Sequence, residues 1–403
     1  MSDNPLLPVD DALDLVLASA RPLAVEEVAL DAALDRYLSE SVVATLDLPP
    51  FTNSAMDGYA LRCADAPADL EVVGESAAGA PFAGVVGAGQ AVTISTGAVL
   101  PEGADSVAPI EWIESLTTDP DRAAIRIPRA VPQGYSVRRA GGDVRQGDEV
   151  LPAGIRIGPG QIGAAASLGL STIRCGSLPR VAVLTTGSEL CPPGSPLGPG
   201  QIYDSNGPLL RAALASAGAE VTLIPPAADT HRAHSAAIAQ ALAYDVVLST
   251  GGVSVGGHDL VREVERELGV QELFWRVALK PGKPLSFGIR DRTLIFGIPG
   301  NPVAVLVCFE LFVRPALAAL QGAHHPRPAF TDVALASAVK RNPERDEMIR
   351  VRRHQHGRVE PLRGQQSHQL ALSALSDGLA RIPAGAGTLA PGSVVSYLPL
   401  GAS

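Results

Sequence analysis

Apolar residues recur at two different spacings along the chain. Residues 10–38 predict a helix, because leucines and valines return at helical spacing with a break near Arg21, and we expect Asp10 to cap it. From residue 46 to about 150, short apolar runs alternate with Gly, Pro and Asp, which predicts a small unit of β-strands. The N-terminal third should therefore combine helix with short strands.

From residue 178 the spacing changes to alternating strands and helices. Apolar strands are predicted at 181–185, 220–224, 245–249 and 293–297, and helices at 208–217, 231–243 and 303–321. Such alternation favours right-handed crossovers and a parallel sheet. After residue 326 short alternating strands return, which predicts a separate β-domain resembling a small barrel.

We therefore expect a multidomain α/β and β protein. Its predicted domains are residues 1–46 with 140–177 as an N-terminal α+β domain, 47–139 as an inserted β-rich domain, 178–326 as the central α/β domain and 327–403 as a C-terminal β-domain. A length of 403 residues is too large for one hydrophobic core, which agrees with this division.

Composition narrows the function classes. The formal net charge is -10, so the surface as a whole offers no basic face for a nucleic-acid backbone or an anionic membrane. The four cysteines lie far apart and form no C-x-x-C motif, which favours a reducing, cytoplasmic location. The apolar stretch 303–320 contains Glu310 and Arg314, which a membrane span would not readily accept.

Three glycine-rich loops follow predicted strands, at 185–189, 249–259 and 296–302. Ligands of parallel sheets bind where such loops gather, and glycine with helix N-termini lets backbone N–H groups approach an anion. Each loop alone is more consistent with a structural turn. Three at the same edge of one sheet predict an anion-binding site.

Charged residues strengthen this prediction. Lys280 and Lys283 flank a Pro-Gly bend, where both can converge on a phosphate or a similar anion, and Arg276 lies just upstream. Carboxylates also occur in loops, and they suit a divalent cation that bridges to phosphate: Asp57, Asp143, Glu189, Asp229 and Asp259. Taken singly, the lysines could form a solvated turn and the carboxylates could be turn or helix caps.

The motifs PPFTNSAMDGYA, ISTGAVLPEGAD, VRRAGGDVRQGD, TTGSEL, DSNGPLL, STGGVSVGGHD, KPGKP and GIPGNPV occur here in one order. This order closely resembles the molybdopterin molybdenumtransferase (MoeA) family, which includes the E-domain of gephyrin. The resemblance implies insertion of molybdate into adenylylated molybdopterin with release of AMP. It further implies magnesium, and a homodimer whose cleft lies between the α/β domain of one subunit and the β-domain of the other.

The resemblance also implies site residues by position. Catalytic roles fall on Asp57, Thr96, Asp143, Glu189, Asp229, Asp259, Lys280 and Lys283, with Glu189, Asp229 and Asp259 as metal ligands. Substrate-binding roles fall on Ser54, Gly251, Gly252, Ser254, Arg276, Pro299, Asn301, Pro302, Arg350 and Ser367. Transient contact with molybdopterin adenylyltransferase and with molybdoenzymes is expected too.

Two positions depart from some relatives, and two other functions stay open. Ala304 stands where some relatives carry serine, and Arg276 where some carry lysine, so the fine geometry of the site can differ. Molybdopterin adenylyltransferase shares a similar α/β domain but lacks the β-rich regions found here. A non-catalytic scaffold like gephyrin would need a fused partner domain and a long linker.

Overall fold

A computed structural model describes residues 6–116, 123–187, 189–225, 230–251 and 260–400. The N-terminal part is built from short pairings of segments distant in sequence. Its helices are Val9–Ser19 and Pro159–Ser167, with a 3-10 turn at Leu30–Ala32, and its strands are Val25–Ala29, Val42–Val43, Glu149–Leu151 and Thr172–Gly176. Val25–Ala29 pairs antiparallel with Thr172–Gly176, so chain segments on either side of the β-rich insertion meet in one unit.

The predicted helix over 10–38 is correct only in about its first third. The helix ends at Ser19, and the chain re-forms as the strand Val25–Ala29. Asp10 is not the N-cap of this helix, because Pro8 occupies the N-cap position. The Asp10 carboxylate instead contacts Arg381. The buried face of the helix shares the core of the α/β sheet, although we expected this helix within the N-terminal domain.

The inserted unit is a six-stranded sheet. In spatial order its strands are Ser106–Pro109, Gly58–Leu61, Gln90–Ile94, Ala68–Ser76, Ala124–Ile127 and Glu114–Ser115. Asn53–Ser54 pairs separately with Val137–Arg138, and 3-10 turns lie at Cys63–Asp65 and Ile110–Trp112. Buried residues such as Leu61, Leu70 and Ile127 form its own small core, as the alternating apolar pattern predicts.

The central sheet has six strands in the order Glu220–Ile224, Arg180–Thr185, Val246–Thr250, Thr293–Ile298, Ser286–Arg290 and Gln271–Trp275. The first four are parallel, and the last two pair antiparallel at one edge, so the predicted parallel sheet is in fact mixed. A separate parallel pair joins Leu190–Cys191 to Ile202–Tyr203. The helices are Asn206–Ser216, His231–Ala241, Leu260–Glu267, Pro302–Cys308 and Arg314–Leu320, the last two joined by the π-helical segment Phe309–Val313.

The apolar segment Pro302–Leu320 belongs to the protein core. It is long and apolar enough to cross a membrane, but 89% of its most apolar window is buried inside the protein. The carboxylate of Glu310 pairs with Arg314 one turn later, at 2.6 Å. Packing against the sheet therefore accounts for its hydrophobicity.

The C-terminal domain is a small closed barrel. The strands Asp346–Arg353, Arg358–Pro361, Thr331–Leu335, Val394–Pro399 and Gly378–Ile382 pair in a ring, because the last also pairs with the first. Val339–Lys340 pairs with Thr388–Leu389, and short helical segments lie at Gln355–Gly357 and Leu370–Ser373. The strand Leu279–Lys280, from the α/β part of the chain, adds to the barrel beside Asp346–Arg353. This pairing places the lysine turn against the barrel.

Candidate active site

The carboxyl ends of the parallel strands are joined by backbone hydrogen bonds. The Thr186 N–H donates to the Thr250 carbonyl at 3.0 Å, and the Gly251 N–H donates to the Ile298 carbonyl at 3.3 Å. Gly251 has φ +88°, and a Cβ there would lie 2.7 Å from the Thr186 carbonyl oxygen. Only glycine allows this close approach, so the described parts of the loops predicted to gather at one edge do meet.

A cavity of about 690 Å³ opens at this edge. We call it the acidic cavity, because the carboxylates of Glu189 and Asp204 line it. Its other lining residues include Thr186, Ser205, Asn206, Thr250, Gly251, Pro299, Gly300, Asn301, Pro302 and His368. Five residues predicted to bind the ligand or metal therefore share one cavity: Glu189, Gly251, Pro299, Asn301 and Pro302.

Asp204 and Asn206 also line this cavity, although the sequence motif DSNGPLL did not single them out as site residues. Asp204 Oδ1 accepts the N–H groups of Asn206 and Gly207, both at 3.0 Å, at the start of the helix Asn206–Ser216. Asn206 Nδ2 donates to the Gly300 carbonyl at 2.8 Å and ties this helix to the 296–302 loop. The sequence signal that could have identified these residues is the run of three polar residues, 204–206, directly after the short strand Ile202–Tyr203.

A second cavity, of about 540 Å³, adjoins the first. We call it the basic cavity, because Lys280, Lys283 and Arg345 line it, together with Ser367. It shares Pro284, Pro299, Asn301 and His368 with the acidic cavity, so the two form one continuous cleft. Arg345 is a cation that the sequence reasoning missed, because it lies at the barrel and far along the chain from the loops of the sheet.

Lys280 is paired within the protein. Its Nζ lies 3.0 Å from Glu347 Oε1, and the Glu347 side chain is only 12% exposed. The backbone register of the parallel pair Leu279–Lys280 with Asp346–Arg353 sets Lys280 opposite Glu347. The barrel thus fixes the position of one of the two lysines.

Arg350 lies behind the wall of the cleft and does not line either cavity. It is 1% exposed, and its guanidinium donates to three backbone carbonyls and one hydroxyl of the segment 364–373. Burial lowers the pKa of this arginine. The same segment supplies Ser367 and His368 to the cleft. Arg350 is therefore placed to support the wall.

Ser54 and Arg276 also lie away from both cavities. Ser54 is fully buried and its hydroxyl donates to the Met56 carbonyl, within the β-rich unit. The Arg276 guanidinium stacks on Trp275, with its carbon 3.8 Å from the ring centre. Both side chains are engaged by neighbouring residues of the same subunit.

Asp57, Thr96 and Asp143 belong to the N-terminal half, and the residues that line the two cavities all lie between 186 and 371. Asp57 Oδ1 accepts the backbone N–H of Thr96 at 2.7 Å and its hydroxyl at 3.0 Å. These two hydrogen bonds lower the pKa of Asp57, the backbone one most. Asp57 and Thr96 thus form an exposed pair whose hydrogen bonds favour the ionised carboxylate.

Four predicted residues, Asp229, Asp259, Gly252 and Ser254, lie outside the described residues. Among the residues that are described, no group of three or more His, Cys, Asp or Glu side chains could hold a metal ion. Glu189 and Asp204 nevertheless supply oxygen donors to one cavity, and a Cβ at Gly187 would lie 2.7 Å from both Glu189 oxygens. Two carboxylates in one cavity fit Mg²⁺, which commonly keeps water and substrate oxygens as its other ligands.

Three family models match successive parts of the chain. The MoeA N-terminal region (domain I and II) matches residues 7–169, a probable molybdopterin binding domain matches 182–319, and the MoeA C-terminal region (domain IV) matches 332–400. Together they span almost the whole sequence.

Curated relatives and solved structures agree with these matches. The molybdopterin molybdenumtransferase of Haemophilus influenzae is 36% identical over 327 residues, covering 79% of each chain, and that of Staphylococcus aureus is 34% identical over 340 residues, covering 82% of this chain and 80% of the relative. The chain belongs to the molybdopterin molybdenumtransferase family. A crystal structure of the molybdopterin biosynthesis MoeA protein from Pyrococcus horikoshii has a TM-score of 0.80 at 30% identity and covers 98% of this chain and 99% of its own. These matches confirm the family that the motifs resemble. They also confirm the predicted multidomain α/β and β fold class and the prediction that the protein is a transferase.

Proposed function

We propose that this molybdopterin molybdenumtransferase family member inserts molybdate into adenylylated molybdopterin, releasing AMP and forming molybdenum cofactor. The observation that carries the proposal is the continuous cleft, with Lys280, Lys283 and Arg345 at one end and Glu189 and Asp204 at the other. Such a cleft can hold an oxyanion beside a phosphate that is bound through a divalent cation. A nucleophile that forms a covalent intermediate is not required.

The basic cavity would hold molybdate. Molybdate and the substrate phosphates repel each other, and three cationic side chains in a partly enclosed cavity offset that repulsion. The hydroxyl of Ser367 is a further donor for an oxyanion oxygen. The two thiol groups of the substrate form two Mo–S bonds, and their two protons leave with one molybdate oxide as water. A water molecule cleaves the phosphoanhydride and releases AMP.

The acidic cavity would hold the phosphoanhydride with Mg²⁺. Glu189 and Asp204, together with Asp229 and Asp259 from the residues that are not described, are the proposed ligands of the ion. When bound, Mg²⁺ neutralises the phosphates and the leaving AMP. The substrate would be oriented around it by Asn301 and the backbone at Gly251, with Gly252, Ser254, Pro299 and Pro302.

We propose further that the protein works as a homodimer in the cytoplasm. Asp57, Thr96 and Asp143, with Ser54, would complete the cleft of the second subunit, because in their own subunit they lie outside the residues that line it. The hydrogen bonds from Thr96 would keep Asp57 ionised where it meets that cleft.

The remaining expected residues and partners have supporting roles in this proposal. Arg276 and Arg350 would act from behind the substrate contacts, since neither lines a cavity. Molybdopterin adenylyltransferase and molybdoenzymes would meet the dimer transiently. The four-domain division with limits near 46, 140, 178 and 327 is part of the same proposal.

Reconstitution tests the function directly. Purified protein, adenylylated molybdopterin, molybdate and Mg²⁺ should release AMP and yield a product that activates a molybdenum-free molybdoenzyme. A parallel reaction with molybdopterin and ATP tests the adenylyltransferase alternative. AMP release that does not depend on molybdate, or adenylylation in the parallel reaction, would overturn the proposal.

A further inference from the structure

Lys280 lines the basic cavity and also pairs with a mostly buried carboxylate. The Lys280 side chain is 44% exposed and lines the cavity, whereas Glu347, 3.0 Å away, is 12% exposed. A negative charge therefore stands directly behind one of the three cations that would hold an oxyanion. Because the carboxylate is largely removed from water, its field is weakly screened.

The fold keeps Glu347 in this place. Its strand, Asp346–Arg353, pairs on one side with Leu279–Lys280, in which Lys280 is opposite Glu347, and on the other side with Gly378–Ile382, in which Glu347 is opposite Ile382. A strand paired on both sides cannot withdraw when a ligand arrives. The Glu347 backbone therefore stays beside the cavity, next to the strand that carries Lys280.

The relevant charge balance is that of the side chains that line the basic cavity and of the carboxylate that pairs with Lys280; the buried Arg350 lies behind the wall and is unchanged in every variant of the test. Lys280, Lys283 and Arg345 contribute three positive charges, and Glu347 contributes one negative charge. We infer that Glu347 is an affinity- and specificity-determining residue, which lowers the net charge of the site to match a doubly charged oxyanion and keeps that anion from binding too tightly. This inference rests on the proposed function, in which the basic cavity receives molybdate.

A lower affinity for molybdate has a kinetic advantage. The contacts between molybdate and the cationic side chains must loosen as the two Mo–S bonds form, so any interaction that stabilises only free molybdate raises the barrier to transfer. A site with three uncompensated cations would also retain other cellular oxyanions. Glu347 would therefore favour transfer of molybdenum to the substrate over retention of molybdate in the cavity.

The test compares two tetrahedral oxyanions of similar size and different charge, molybdate and perrhenate, by titration calorimetry on the full-length protein at pH 8. Coulomb energy scales with ligand charge, so removing one nearby negative charge should strengthen binding of the dianion twice as much in free energy as that of the monoanion. For Glu347→Gln we expect perrhenate affinity to rise about threefold and molybdate affinity about tenfold.

Two further variants control the measurement. Glu344→Gln makes the same change at an exposed position just before the strand and should leave both affinities unchanged. The double variant K280Q/E347Q restores the wild-type net charge, so its molybdate-to-perrhenate affinity ratio should return to the wild-type value. If Glu347→Gln folds poorly, Lys280→Gln takes its place: it lowers the charge of the site by one, so the molybdate-to-perrhenate affinity ratio should fall in Lys280→Gln and return to the wild-type value in the double variant.

The outcomes separate this inference from the proposed function. A larger gain for molybdate than for perrhenate supports the role of Glu347. Equal changes, or weaker binding of both anions, would mean that Glu347 only positions Lys280 and would overturn the inference alone. If the wild-type protein bound neither anion, the basic cavity would not be an oxyanion site, and the inference and the proposed function would both be wrong.

Discussion

The Arg381 guanidinium contacts both carboxylate oxygens of Asp10, each at 2.9 Å, although the two residues are 371 positions apart in sequence. The same guanidinium donates to Asp346 Oδ2 at 2.7 Å. One arginine therefore joins the N-terminal helix to the barrel strand that begins beside Arg345 and carries Glu347. Asp346 is next in sequence to both Arg345, which lines the basic cavity, and Glu347, which pairs with Lys280.

Stability should depend on pH through Asp10. The hydrogen bond from Arg381 lowers the pKa of Asp10 below its ordinary value, so the stabilising effect is complete above that value and is lost as the pH falls through the lowered one. Because Asp10 is well exposed, Asp10→Asn should cost only about 0.5–1 kcal/mol near pH 7. Calorimetric Tm values measured from pH 7 to pH 2 should converge for wild type and variant at the acid end; a constant difference would contradict this.

Arg350 and Arg345 should differ in what their loss affects. Arg350→Gln leaves buried carbonyls in the 364–373 segment without donors, so we expect a local loss of about 2 kcal/mol and faster amide exchange there. Arg345→Gln should leave exchange unchanged and weaken molybdate binding. Hydrogen exchange and calorimetry on both variants check this, and fast exchange in Arg345→Gln with none in Arg350→Gln would reverse the assignment.

Heterodimers test the shared cleft. Asp57→Ala and Lys280→Ala should each abolish cofactor formation while leaving the dimer intact. In a mixed dimer that carries one change per subunit, one cleft has both changes and the other has neither, so activity should return to about half of wild type. We would measure it in the reconstitution assay after co-expression with two affinity tags. No recovery in the mixed dimer would mean that Asp57 acts in its own subunit.

Gly187 should control the position of the Glu189 carboxylate. Gly187→Ala adds a Cβ within 2.7 Å of both Glu189 oxygens, so the carboxylate must move, and we expect Mg²⁺ affinity to fall about tenfold. Gly194→Ala is the matched control, because its φ is also positive, at +90°, while nothing lies within 4 Å of the added atom. The two variants are compared by measuring AMP release as a function of Mg²⁺ concentration. An equal loss of Mg²⁺ affinity in both variants would mean that backbone strain alone causes the effect.

Thr96 should matter less than Asp57. Thr96→Val removes the hydroxyl hydrogen bond to Asp57 but keeps the stronger effect of the backbone N–H, so Asp57 should stay ionised and in place. We expect a loss of a few-fold in the rate of AMP release, against a near-complete loss in Asp57→Ala. A Thr96→Val variant as inactive as Asp57→Ala would show that the hydroxyl itself contacts the substrate.

Local patterns predict most of the α/β region. The predicted strand at 181–185 and helix at 231–243 lie within a residue or two of Arg180–Thr185 and His231–Ala241, because buried strands and amphipathic helices carry strong periodic signals. The same reasoning is wrong for Val25–Ala29, which it assigns to a helix. That segment is a strand because it pairs with Thr172–Gly176, and a pairing across more than a hundred residues is not visible in local spacing.

The amino-acid sequence alone determined the glycine-rich loops, the lysine turn and the order of the motifs. A turn that needs glycine, or a strand that must be buried, depends mainly on residues nearby in the sequence. Which charges meet depends instead on how the domains fold together. Arg345 and Glu347 reach Lys280 because the barrel adds Leu279–Lys280 as a strand, and Arg350 is removed from the cleft because the same barrel buries it. Contacts between distant segments arise from the packing of whole domains, and no short window of residues records that packing.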